Sequence, residues 1–133
     1  MEPVKVVVRY ADGKIVKGFT QDFLPNKDRF HLHPAERVPG EAREVLLKEL
    51  KALFFVKDFA GNPNYHERKK YVEGEKPTGR KVEVTFRDGE ILVGSTLGYD
   101  PSRPGFFFFP ADPKSNNIRV FAVSPAVKNV RYI

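Results

Sequence analysis

Apolar and polar residues alternate at the start of the chain. Val4, Val6, Val8 and Tyr10 fall on one face and Lys5, Val7 and Arg9 on the other. A period of two is the signature of a half-buried β-strand. The same alternation returns at Val82, Val84 and Phe86 against Lys81, Glu83 and Thr85. In both places an Asp-Gly pair, Asp12-Gly13 or Asp88-Gly89, separates this strand from the next apolar run. That pair signals a hairpin, because glycine accepts the positive φ of a tight turn. Loops at Leu24 to Asp28 and Asp100 to Pro104 lead to third strands at Arg29 to His33 and Gly105 to Phe109, each stopped by a proline. A fourth strand is expected at Ile118 to Val123, then a one-turn 3₁₀ element at Ser124-Pro125-Ala126 and a fifth strand at Val127 to Ile133. The matching stretch of the first half, Glu41 to Leu53, has mixed signals. Val45, Leu46, Leu50 and Leu53 among good helix formers suit a short helix, or a strand and a turn.

The recurrence is an internal repeat. Sliding the chain by 76 positions lays Lys5 to Ala35 on Lys81 to Ala111 without a gap, with 12 of 31 pairs identical, where residue frequencies of about 5% predict about 2. The identities include Asp12-Gly13, Ile15, Gly18, Thr20, Pro25, Phe30 and Pro34-Ala35, which are turn and core types. Gly18 and Gly94, inside second strands, are expected at a bend or bulge. Further on, Val56-Lys57-Asp58-Phe59 is expected to fall on Val130-Arg131-Tyr132-Ile133.

The pattern predicts a mostly all-β protein: two tandem five-stranded small barrels from a duplication, with a short helix or 3₁₀ turn before each last strand. The boundaries are 1–59 for the first repeat, 60–79 for a basic linker containing proline and glycine, and 80–133 for the second. Five short antiparallel strands with that turn resemble the SH3-like and Sm-like barrels in architecture. Phe55-Val56-Lys57-Asp58-Phe59 with Gly61-Asn62, Phe108-Phe109-Pro110-Ala111-Asp112 and Asn116 to Phe121 resemble an uncharacterised bacterial domain family associated with signalling and motility proteins. The resemblance implies no ligand and no catalytic residues.

Composition narrows the class. Hydrophobic residues make up 41% of the 133 and aromatic residues 13%, enough for a packed core. No apolar run approaches the roughly 20 residues that span a bilayer, and the N-terminus lacks a leader pattern. With no cysteine, thiolate chemistry and disulfides are excluded, and a cytoplasmic location is expected. The net charge of +6 is spread out: basic minus acidic residues number 11 − 9 in 1–59, 4 − 3 in 60–79 and 8 − 5 in 80–133. A basic tail for nucleic acid is thus absent. No serine-hydrolase elbow, metalloprotease helix or phosphate-binding glycine loop occurs, so the chain reads as non-enzymatic, with no cofactor and no metal.

The candidate binding residues follow from what a barrel does not need. On a strand, Phe106 and Phe108 face one side and Phe107 and Phe109 the other. The first repeat has His31 and His33 there, so the barrel does not require aromatics at these positions. Phe107 and Phe109 are expected against the other barrel, the linker or a second subunit, or as an open platform. Tyr99 and Arg103 lie beside them in sequence. In the linker, Arg68-Lys69-Lys70 sits between Tyr65 and Tyr71 as a solvated tether or a dock for an acidic partner. The reading is an interaction module in which two barrels present a joint surface, centred on the third strands and the linker, to a protein partner; a homo-oligomer is compatible with it. The alternative is single-stranded nucleic acid, bound by the aromatic strand with Arg103, Lys114 and Arg119.

Overall fold

A computed structural model describes residues 3–35, 42–61 and 64–133. Among them the protein is all-β, with ten antiparallel strands and two 3₁₀ turns. In chain order the strands are β1 (Val4–Tyr10), β2 (Ile15–Thr20), β3 (Arg29–Pro34), β4 (Arg43–Leu46), β5 (Leu50–Val56), β6 (Arg80–Phe86), β7 (Ile91–Thr96), β8 (Gly105–Pro110), β9 (Asn117–Val123) and β10 (Val127–Tyr132). The 3₁₀ turns, Leu47–Glu49 and Ser124–Ala126, each precede a fifth strand. The mixed stretch in the first half is therefore strand, single turn and strand; its first residue, Glu41, lies outside the described residues.

The strand order is β10-β6-β7-β8-β9-β5-β1-β2-β3-β4. Each run of five pairs in one order: fifth, first, second, third, fourth. Where two barrels were expected, the hydrogen bonding runs through as one ten-stranded sheet. The reason is β5 against β9, with Ala52↔Ala122, Leu53↔Phe121, Phe54↔Val120 and Phe55↔Arg119 as partners. These strands carry apolar residues on both faces, so neither face can be left in water. Leu53 and Phe55 enter one core with Val6, Val8, Phe30, Leu32 and Phe121. Ala52, Phe54 and Val56 enter a second with Val82, Val84, Phe86, Phe106 and Phe108. All seven residues of β5 are buried.

The pairings correct the expected register of the last strands. Val8 pairs with Leu53 and Val84 with Val130; Arg29 pairs with Leu46 and Gly105 with Val123. Equivalent residues are 76 apart in the first three strands and 77 apart in the last two. Leu50 to Val56 thus matches Val127 to Ile133, and 56–59 does not match 130–133. One more residue separates equivalent paired positions of the third and fourth strands in the second half.

Both Asp-Gly turns behave as expected, with φ of +97° at Gly13 and +95° at Gly89. Gly18 and Gly94 have ordinary φ and serve another purpose. A Cβ on Gly18 would stand 2.5 Å from the His33 carbonyl oxygen, and one on Gly94 would collide with the Phe109 carbonyl. There the second strand crosses the third at close range, which only glycine permits. The basic stretch 60–79 has no strand or helix among its described residues and lies against the second half, as detailed below. No helix among the described residues is long and apolar enough to cross a membrane.

Gly94→Ala is expected to cost about 2–3 kcal/mol, because backbone must move to admit one methyl group. Gly98→Ala, with nothing within 4 Å of the added carbon, is expected to stay within about 0.5 kcal/mol. Urea unfolding of the two variants checks the contrast.

Candidate binding cleft

The run of four phenylalanines on β8 divides as alternation requires. Phe106 and Phe108 enter the second core. Phe107 points the other way and packs on the first, with ring centroids 4.9 Å from Phe121, 6.0 Å from Phe55 and 6.1 Å from Phe23. Phe107 is therefore a contact between the two halves of the chain, and only part of it reaches solvent. Phe109 is 38% exposed. Gly105 opens the strand because a Cβ there would strike the Phe121 ring and the Ala122 carbonyl.

Beside Phe107 lies a cleft of 870 Å³ whose wall includes Asn26, Leu97, Tyr99, Arg103, Phe107 and Arg119. Asn26 belongs to the first half and the other five to the second, so the cleft is a joint surface. Tyr99 is fixed by an edge contact with Phe106 at 4.8 Å. Leu97 is 73% exposed and supplies an apolar lip. Arg103 is exposed, with Nε 3.7 Å from an Asp100 carboxylate oxygen. Asp100 accepts the Ser102 hydroxyl at 2.7 Å and the Ser102 N–H at 2.9 Å, which hold its carboxyl below the usual range. It remains an anion and offsets Arg103.

Arg119 has no such partner. Its guanidinium carbon sits 4.3 Å from the Phe55 ring centroid and 4.4 Å from that of Phe107, and no carboxylate lies within ion-pair distance among the described residues. Burial pushes its pKa down, as expected for a charge losing water without gaining an anion. It stays protonated at any ordinary pH. Two aromatic faces compensate part of the lost hydration, and Arg119 forms part of the cleft wall. β9 places it there through the Phe55↔Arg119 pairing.

The other expected residues are distributed elsewhere. His31 and His33 are exposed on β3, in the first half. The His31 Nδ1 lies 2.7 Å from the Asp22 carboxylate, which also accepts the His31 backbone N–H at 2.9 Å. No group of three or more metal-ligating side chains occurs among the described residues. Arg68 does not form a free basic patch. Its Nη1 and Nη2 each donate to Glu75 at 2.9 Å, and Nη2 reaches the Ala111 carbonyl at 3.2 Å. Lys69 is exposed, 3.4 Å from Glu67; Lys70 and Lys114 are exposed. The three linker cations thus do not join the cleft.

Two features had no expectation attached. Lys51 on β5 is 8% exposed and donates to Glu90 at 2.5 Å while lying 2.7 Å from Asp88, a link from the first half to the β6–β7 hairpin of the second. Asp112 is the anchor of the linker. It accepts the Arg68 N–H and the Lys114 N–H, each at 2.8 Å, and the Tyr65 hydroxyl. Those three donors, in that order of first, third and second in effect, take its carboxyl from 3.8 to about 2. Asp112 stands in the Phe-Phe-Pro-Ala-Asp run, the one sequence signal that could have marked it.

The family model described as "Family of unknown function (DUF6982)" matches residues 2–133. No curated protein and no solved structure matches the chain.

A carboxyl with a folded pKa below its unfolded value of about 3.9 stabilises the fold above that value and ceases to do so as pH falls through the folded pKa. The Asp112 clamp is therefore expected to weaken between about pH 4 and about pH 2. Urea midpoints taken across this range should fall more for the unmodified chain than for Asp112→Asn, which lacks the titrating group and is the less stable of the two at pH 6.

Proposed function

The chain belongs to this family of unknown function, and we propose that it is a non-enzymatic, cytoplasmic interaction module. Its two halves are SH3-like or Sm-like five-stranded units from an internal duplication, and together they offer one surface to a protein partner. The partner is read as an extended segment carrying a carboxylate beside apolar side chains. One observation carries this reading: the Arg119 guanidinium, held between Phe55 and Phe107 at the wall of the 870 Å³ cleft, has its charge unmatched by any carboxylate among the described residues. A carboxylate arriving from a partner would complete a charge-assisted pair in a partly dry site, where such bonds are strongest. Leu97, Tyr99 and Phe109 would cover the apolar neighbours.

Stacking of nucleic-acid bases needs open ring faces. Phe107 has Phe23, Phe55 and Phe121 around it and Arg119 over its face, so it is a poor platform. That geometry favours the peptide over the nucleic acid.

The test is heteronuclear NMR of the full chain, titrated with a short extended acidic–aromatic peptide, with its neutral Gln/Asn counterpart, and with a random single-stranded DNA pool at two salt concentrations. Shifts at Gly98, Tyr99, Phe107 and Phe109 with the acidic peptide are expected, and Arg119→Gln should weaken binding roughly tenfold, equivalent to ~1.4 kcal/mol. Shifts with DNA alone that fade steeply with salt would replace this reading by the nucleic-acid one. No shifts with any probe at millimolar concentration would overturn it.

A further inference from the structure

The seam between the halves has counterparts at the two ends of the sheet. β9 is the fourth strand of its run and β5 the fifth of its own; among the described residues the free ends are β4, a fourth strand, and β10, a fifth. By the equivalence fixed by the pairings, a second copy could in principle lay its β10 on β4 as β5 lies on β9. An interface of that head-to-tail kind does not close on itself and would propagate into a ring or a fibre.

The side chains at the two kinds of edge are opposite in character. At the seam, Phe107, Phe121 and Val123 of the second half enter the first core, and Val7, Ala52 and Phe54 of the first half enter the second. At the free β4 edge the positions of Phe107 and Phe121 hold His31 and Glu44, with Leu46 in place of Val123. At the free β10 edge the positions of Val7, Ala52 and Phe54 hold Glu83, Asn129 and Arg131, with the exposed Ile133 in place of Val56. The charged groups already have partners within their own half. Arg131 lies 3.0 Å from both oxygens of Glu83, Arg29 3.0 Å from Glu44, and His31 2.7 Å from Asp22.

One of the two ion pairs that flank the seam follows the same rule. Lys51 meets Asp88 and Glu90. Its counterpart is Lys128, and theirs are Asp12 and Lys14, so Lys128 would still meet an anion at Asp12 but would meet a cation where Glu90 faces Lys51. A second copy docking in the register of the seam would bury Glu44 and Arg131 where Phe121 and Phe54 now sit and would oppose Lys14 to Lys128. Stripping water from such charges is costly, and charged residues on edge strands are a known bar to edge pairing.

We infer that the β5–β9 seam is a subunit-type interface that the chain makes once, within itself, and that its β4 and β10 edges are closed to a second copy by charge. The two-repeat unit is then self-terminating. Arrangement in a larger homo-oligomer through these edges is excluded by the same argument. The conclusion does not depend on what the cleft binds.

Analytical ultracentrifugation tests this with two variants of the full chain. One opens the β4 edge (His31→Phe with Glu44→Phe), and the other opens the β10 edge (Glu83→Val, Asn129→Ala and Arg131→Phe). The unmodified chain is expected to sediment as a monomer from 10 to 500 μM. Each variant alone has only one apolar edge and should associate weakly, whereas an equimolar mixture should form a heterodimer at least 100-fold more tightly than either self-associates. Circular dichroism and NMR dispersion establish that both variants fold; should either fail, the milder pair Glu44→Leu and Arg131→Leu takes their place. A mixture of folded variants that stays monomeric overturns the inference. So does an unmodified chain that dimerises with amide line broadening confined to β4 and β10.

Discussion

The pairing of β5 with β9 is the constraint on which the rest of the structure depends. Each strand has apolar residues on both faces, so neither could lie at the surface of a small barrel without exposing a phenylalanine. Laid against each other they bury both faces at once. Phe54 and Phe121, each worth about 1.5–3 kcal/mol when fully buried, reach across the seam in opposite directions, one into each core. Units of about 55 residues have little interior of their own. Sharing a central ribbon gives each core residues that its own half cannot supply.

The seam also creates the cleft. Phe107 turns toward the first core because Phe121 and Phe55 are there to receive it, and Arg119 follows because its strand partner is Phe55. A guanidinium held between two rings loses rotamer freedom and part of its water before any ligand arrives. It can thus bind an anion at lower entropic cost than a free surface arginine could. Arg103, by contrast, is offset by Asp100 and stands in solvent. Of the two arginines, the less exposed one carries the unmatched charge.

The segment between the halves works as a strap. Asp112 and Glu75 collect the hydrogen bonds of Tyr65, Arg68 and Val72, and Lys81 lies 4.9 Å over the Tyr71 ring. A cavity of 510 Å³ remains beneath it, between Tyr71 and Phe109. The basic appearance of Arg68-Lys69-Lys70 in sequence is thereby reduced to two exposed lysines and one arginine committed to the fold.

The sequence by itself determined most of the strands, because alternation of period two and the Asp-Gly turns are local properties: β1, β2, β6 and β7 stand where those patterns place them, and the 3₁₀ turn at Ser124–Ala126 stands where its proline indicates, whereas 41–53 reads as a short helix or as a strand and a turn. It also determined which residues recur at 76 positions, and one exception to recurrence, Phe107 against His31, singled out a ring whose cover the sequence left open between the other half, the linker, a second subunit and solvent. What it could not determine was pairing between strands distant along the chain. Nothing local says that β9 meets β5, so nothing local brings Arg119 to Phe55, Lys51 to Asp88 or Asp112 to Arg68. The register of the last strands is not local either: a one-residue shift in spacing leaves similar apolar strings on either side, and only the hydrogen-bonded ladder fixes which residue faces which. Side-chain alternation is a property of one strand, whereas the partner across the sheet is chosen by burial of both faces at once, and that choice exists only in the folded molecule.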